Sequence, residues 1–313
     1  GRFFFFFFST YDEEKCMPRE LIGDSIILAI ERKLNCKVLN YSLLGKGASG
    51  CVYKVKIDSE PYSFALKIND LPELIAQEYK SMDFISSRVD CKLPKLYFTE
   101  TVNGKGVLAM ELIDGVTPNS KTLFFRKNKS KLANEIVDNL IKIHSVHNDK
   151  YGPIGNAIYA SWYDYYSEFA KEIVEFTNCS DVPRTVKNAL NLAYENLYSI
   201  VNCDDALPTL AHGDYWIPNF IADNKTMSLK GIIDPFNVSW TEPEYELFTL
   251  TVGFGKNLHL YDIYKSKVKT TKYCDLKVEL YSLFNELLWY KTLGEIDFNY
   301  LIYRSKRLIK MIN

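Results

Sequence analysis

The chain has 313 residues, enough for one large domain or two modest ones with a sizeable core. Hydrophobic residues at 47%, charged residues at 25% and a formal net charge of −1 are ordinary globular values, and the charge gives no argument for nucleic acid or an anionic membrane as partner. Seven scattered cysteines, odd in number and without close pairs, argue against a disulfide scaffold or a zinc site and for a reducing cytoplasm.

Gly1-Arg2 and the run Phe3 to Phe8 open the chain, with Asp12-Glu13-Glu14 close behind. The run is too short for a signal-peptide core or a spanning helix, so residues 1–18 are set aside as an N-terminal arm or tag remnant. No other apolar run approaches membrane length. Arg19 to Leu34 carries apolar residues at helical spacing (Leu21, Ile22, Ile26, Ile27, Ile30, Leu34). The period changes at Val38. A strand through Leu44 runs into Gly45-Lys46-Gly47-Ala48-Ser49-Gly50, an alternating stretch Cys51 to Ile57 follows, and Asp58-Ser59-Glu60-Pro61 turns the chain into Tyr62 to Ile68. Glycines at 45, 47 and 50 let backbone N–H groups approach phosphates closely. Lys67, near the end of the next strand, is a candidate phosphate cation that needs a carboxylate to hold it. The helix starting at Pro72 (Leu74, Ile75, Glu78, Met82, Ile85) offers Glu78. Glu73 competes, but in a first helical turn a carboxylate more often complements the helix dipole. Leu93 to Phe98 and Gly106 to Ile113 read as two further strands about an Asn103-Gly104 turn.

Beyond Gly115 the pattern is helical. Lys131 to His147 forms a helix with His144 and His147 three apart, better read as a packed or solvated pair than as metal ligands. Ser161 to Phe169 is rich in aromatics, which could stack against a cyclic substrate but are better read as core. Pro183 to Val201 forms another helix. Leu210-Ala211 before His212-Gly213-Asp214 and Gly231-Ile232-Ile233 before Asp234 read as two short buried strands of one hairpin, turning at Asp223-Asn224-Lys225. Asp214, Asn219 and Asp234 there supply hard oxygens, which suit Mg²⁺ and a nucleotide phosphate. Helices over Leu276 to Leu293 and Phe298 to Ile312 close the chain, with Arg304, Lys306, Arg307 and Lys310 as a solvated face.

His212-Gly213-Asp214, Asn219 and Ile233-Asp234 resemble the catalytic loop and metal-binding Asp of the kinase superfamily. Gly213 stands where protein kinases have Arg, and this form is similar to the small-molecule kinases: aminoglycoside phosphotransferases, choline kinases and fructosamine (ketosamine) kinases. Gly45, Gly47, Gly50 and Val52 match the Gly-rich loop, and Thr241 to Leu247 resembles the Gly-Asp-Pro-x-x-Asp-Leu segment after the metal Asp, with Glu in place of both acids. The resemblance spans roughly residues 38–250. It implies an α+β, protein kinase-like two-lobed fold, with a small antiparallel-sheet N-lobe (19–113) and a larger, mostly helical C-lobe (114–313).

The same resemblance implies site roles. Asp214 is the catalytic base, Asn219 and Asp234 are Mg²⁺ ligands, and Glu246 is a structural anchor for the loop. Gly45, Gly47, Ser49, Gly50, Lys67 and Glu78 serve the phosphates, while Glu111 and Ile113 offer main-chain contacts to adenine. The expected activity is transfer of the γ-phosphate of ATP, with GTP the alternative, to a hydroxyl of a small molecule, acting as a monomer or homodimer. An aminoglycoside or amino-sugar acceptor is favoured. Asp181, Asp204, Asp205, Glu242 and Glu244 could attract its amines, although solvated acids are the default. Trp216 and Asp234-Pro235 resemble the fructosamine kinases, the next choice; choline or homoserine follows. A nucleotide-binding pseudokinase would lack one of Lys67, Asp214 or Asp234, and all are present.

Overall fold

The alternating segments between Val38 and Glu111 become a five-stranded antiparallel sheet in a computed structural model of the chain, which describes residues 22–47, 50–119, 129–202, 206–294 and 296–313. The Phe3 to Phe8 run and Ser49 lie outside the described residues. The chain divides into two compact units. One reaches to Pro118 and includes Pro218–Phe236; the other comprises Asn119–Ile217 and Asn237–Asn313.

The five-stranded sheet of the first unit is made of β1 (Val38–Gly47), β2 (Gly50–Ile57), β3 (Ser63–Asn69), β4 (Leu96–Val102) and β5 (Lys105–Glu111), ordered β1-β2-β3-β5-β4. Two helices, α1 (Asp24–Leu34) and α2 (Pro72–Ser86), complete the lobe. The pleat sends alternate side chains to opposite faces. Phe64 and Leu66 of β3 and Val107 and Ala109 of β5 join Ile22, Ile26 and Ile30 in one apolar cluster. Ala65 of β3 and Leu108 and Met110 of β5 join Ile75 and Met82 of α2 in the other. Burial on both faces explains why β3 and β5 are apolar nearly throughout. It also puts Lys67, in phase with Ala65, on the α2 side. Asn103 and Gly104 both have positive φ (49° and 78°), the conformation of a tight hairpin turn between β4 and β5.

The second unit is mostly helical, with α3 (Lys129–His144), α4 (Trp162–Cys179), α5 (Arg184–Glu195), α6 (Leu197–Val201), α7 (Gly253–Asn257), α8 (Leu260–Lys267), α9 (Cys274–Leu293) and α10 (Phe298–Ile312). Ser161 caps α4 by accepting from the Asp164 N–H at 3.0 Å. The helix expected over Pro183 to Val201 is two helices broken at Asn196.

One correction concerns strand pairing. The strand before His212, β7 (Thr209–Ala211), pairs with β10 (Ser239–Thr241), which also pairs with β6 (Gly152–Pro153). The strand before Asp234, β9 (Leu229–Ile232), pairs instead with β8 (Phe220–Ala222). The two motif strands are therefore not one hairpin. The Asp223 turn joins β8 to β9, and its carboxylate accepts from the N–H groups of Lys225 and Thr226 at 2.9 and 2.7 Å.

Candidate active site

In the first unit, Lys67 is 1% exposed, and a lone ammonium there would carry a large desolvation cost. It is held on two sides. Its Nζ lies 2.7 Å from Glu78 Oε2 and 2.8 Å from Asp234 Oδ1. Glu78 sits on the same face of α2 as Ile75 and Met82, at helical spacing, which aims it at the sheet. Glu73 stays in the first turn. The two carboxylates raise the Lys67 ammonium above its ordinary range despite burial. Burial, with Asp234 adding to it, pushes the Glu78 carboxyl up to about 8 against the pull of Lys67.

A cavity of about 390 Å³ lies beside this cluster, within the same unit. Gly45, Gly47 and Gly50 of the β1–β2 hairpin line one part of it. Met110 to Ile113, at the end of β5, line another, and Asn219 and Asp234 contribute a polar wall. Gly50 has φ +112°, and a Cβ there would stand 2.1 Å from the Ile68 carbonyl oxygen, so only glycine fits against β3. Asp234 follows β9 with φ 54°, a left-handed conformation uncommon outside glycine. Asn219 is 1% exposed, and its carbonyl accepts from the Ile233 N–H at 2.9 Å, tying the ends of β8 and β9 together. The Glu111 N–H is engaged, donating to the Lys95 carbonyl at 2.8 Å. Glycine at 231 makes room for Ile113, whose Cδ1 would lie 2.2 Å from a Cβ there.

In the second unit, the His212-Gly213-Asp214 loop leaves β7 and is pinned from behind. Glu246, in the 3-10 turn Tyr245–Thr251, accepts from the N–H groups of His212 at 3.1 Å and Gly213 at 2.6 Å. The Asp214 N–H donates to His212 Nδ1 at 3.3 Å, and the buried Tyr215 hydroxyl donates to the Ile136 carbonyl of α3 at 2.7 Å. Asp214 itself is 4% exposed. His144 is buried, with Nε2 3.2 Å from Glu246 Oε2 and Nδ1 2.9 Å from the Tyr264 hydroxyl. Burial and the nearby Glu246 raise the Tyr264 hydroxyl above its ordinary range. The helix ends at His144, so His147 lies beyond it, exposed, with Nδ1 3.4 Å from the Thr209 hydroxyl; the two histidines are not a pair on one helix face.

Other expectations change. Glu242 and Glu244, considered as surface acids, are 1% and 4% exposed and both face the ammonium of Lys277, at 2.6 and 2.9 Å. Arg304, expected on a solvated face, is 6% exposed and pairs with Glu279 at 2.8 Å. Lys306 and Lys310 are exposed. Asp181 is exposed, and Asp204 and Asp205 lie outside the described residues. Trp162 is core, stacked on Tyr166 with ring centroids 5.4 Å apart. Lys277 and Tyr281 were missed; a charged residue flanked by Leu276, Val278 and Leu280 was the available signal.

This is the architecture of a protein kinase-like small-molecule phosphotransferase. Solved structures share it. A candidate fructosamine-3-kinase from Haemophilus somnus matches with TM-score 0.68 at 14% identity, covering 92% of this chain and 96% of that one. One from Thermobifida fusca matches with TM-score 0.68 at 16% identity, covering 92% and 99%. A thermostable mutant of aminoglycoside phosphotransferase APH(4)-Ia, in ternary complex with AMP-PNP and hygromycin B, matches with TM-score 0.71 at 15% identity, covering 91% and 98%. A comparison with curated proteins gives no match. The sequence model of the phosphotransferase enzyme family (APH) matches residues 40–262, and the chain belongs to that family.

Proposed function

We propose that the chain transfers the terminal phosphoryl group of a magnesium-bound nucleoside triphosphate, ATP before GTP, to a hydroxyl of an amino-sugar or aminoglycoside-like small molecule. The observation that carries this reading is the buried Lys67 ammonium, held by both Glu78 and Asp234 beside a cavity lined by a glycine hairpin.

Phosphoryl transfer through a loose transition state asks a protein for positioning and charge neutralisation more than for covalent chemistry. Lys67 meets the α- and β-phosphates, and the main-chain N–H groups around Gly45, Gly47 and Gly50 cradle them. The Glu111 carbonyl and the Ile113 N–H face adenine. Asp234 and Asn219, one carboxylate and one carboxamide on the cavity wall, fit an ion that takes few protein ligands and keeps waters and phosphate oxygens. They would hold Mg²⁺, which when bound neutralises charge on the phosphates. Asp214 orients the acceptor hydroxyl and takes its proton late, from within ~3 Å. Its loop is fixed by Glu246, so the carboxylate needs no reorganisation as the reaction proceeds.

A second reading, a ketosamine kinase, is favoured by Trp216 two residues after Asp214 and by Asp234-Pro235. An ATP-consumption screen over aminoglycosides, fructosamines, choline and homoserine separates the two and covers the remaining acceptors. Asp214→Ala is expected to lower turnover by at least about a hundredfold while nucleotide still binds. Near-normal turnover in that variant overturns the assignment. Nucleotide binding without turnover on any acceptor favours a pseudokinase scaffold.

A further inference from the structure

Lys277 lies far from the motifs in sequence, yet it is 0% exposed and binds two carboxylates that are two residues apart. Each carboxylate has further donors. The Tyr281 hydroxyl donates to Glu242 Oε1 and accepts from Trp162 Nε1 at 2.8 Å. The Thr271 N–H and hydroxyl donate to Glu244 at 2.5 and 2.7 Å. What makes the cluster more than a satisfied core network is its place in the chain. Glu242 directly follows β10, whose register with β7 (Ser239 with Ala211, Trp240 with Leu210) sets the strand that ends at His212. Glu244 directly precedes the 3-10 turn whose Glu246 holds the His212 and Gly213 N–H groups. The ammonium thus clamps the short link between the loop's two supports.

We infer that Lys277 is a positioning residue for the catalytic loop, acting through Glu242 and Glu244 on the β10 pairing and on Glu246. Its catalytic consequence rests on the phosphotransfer reading; its effect on the loop does not. Two readouts separate these. The first is hydrogen–deuterium exchange of the peptide spanning 209–217 in the full chain. The second is steady-state kinetics with whichever acceptor the screen identifies.

In Lys277→Met the loop peptide is expected to exchange at least about tenfold faster, while kcat falls about tenfold or more and KM for nucleotide stays within about twofold. Lys277→Arg, which keeps the cation, should recover most of both. Leu190→Ala, which opens a cavity at the buried face of α5, serves as the control for general loosening. If Lys277→Met leaves two buried carboxylates too costly to fold, the triple variant Lys277→Met, Glu242→Gln, Glu244→Gln removes all three charges and must show the same local loss. Unchanged exchange in a folded Lys277 variant overturns the inference. So does faster exchange spread equally over the α4 and α5 peptides, or equal loop exchange in Leu190→Ala. Should the wild-type chain transfer phosphate to nothing tested, the phosphotransfer reading fails, while the exchange result still decides the role of Lys277 in the loop.

Discussion

Gly213 has φ +84° and donates its N–H to Glu246 at 2.6 Å. Any side chain at that position would pay the steric penalty of left-handed backbone, so the glycine that distinguishes this loop from the protein kinases is required by its geometry. Gly213→Ala is expected to destabilise the fold by about 1–2 kcal/mol in denaturant titrations; an unchanged midpoint would contradict the strain argument. Glu286 of α9 illustrates a second residue-level effect. It lines a cavity of about 690 Å³ with Tyr300, Arg304 and Arg307, and burial pushes its carboxyl from 4.5 up to about 7, against the pull of Arg304. The folded state therefore holds a proton that the unfolded chain releases at lower pH. This contribution to stability is present below 4.5 and declines as pH rises through about 7. Glu286→Gln should remove the decline, so its stability relative to wild type grows by roughly 2 kcal/mol between about pH 5 and about pH 8. A stability difference independent of pH would show that this carboxyl titrates normally.

At the scale of elements, helix α2 couples core packing to the ion pair. Ile75 and Met82 bury against Leu108 and Met110, and Glu78 lies between them on that face. Ile75→Ala should cost about 2–5 kcal/mol by opening a cavity, and weaken nucleotide binding as Glu78 shifts from Lys67. Equal affinity in the variant would uncouple the two. Helix α3 plays the matching part in the other unit, where His144 links Glu246 to Tyr264. His144→Ala is expected to cost about 1–3 kcal/mol and to lower kcat. Nucleotide affinity measured by calorimetry should stay unchanged, since the cavity residues belong to the other unit. The long strands were legible from sequence because seven to ten residues rich in β-formers and bounded by turn residues are a strong local signal. The three-residue strands β8 and β10 are too short to carry a period and leave no signal, which is why β7 and β9, whose partners they are, read as pairing with each other.

For the whole molecule, ligand linkage supplies the broadest test. Magnesium and ATP together at about a hundredfold over Kd should stabilise the chain by about 2.7 kcal/mol, read as a rise in Tm. Lys67→Met should lose most of that rise. A full rise in the variant would remove Lys67 from the nucleotide site. No helix among the described residues is long and apolar enough to cross a membrane.

Sequence by itself determined the small sheet, the order of the motif residues and the kinase-like class. Periodicity, glycine placement and short motifs are local properties that survive without knowledge of the fold. Tertiary structure alone decided that Asp234 joins Glu78 on Lys67, that Glu242 and Glu244 share a buried cation with Lys277, and that Arg304 is core. The reason is physical: a charged side chain reads as polar in sequence wherever it falls. Only the packing of distant segments, here α9 against the end of β10, supplies the partner that makes its burial affordable.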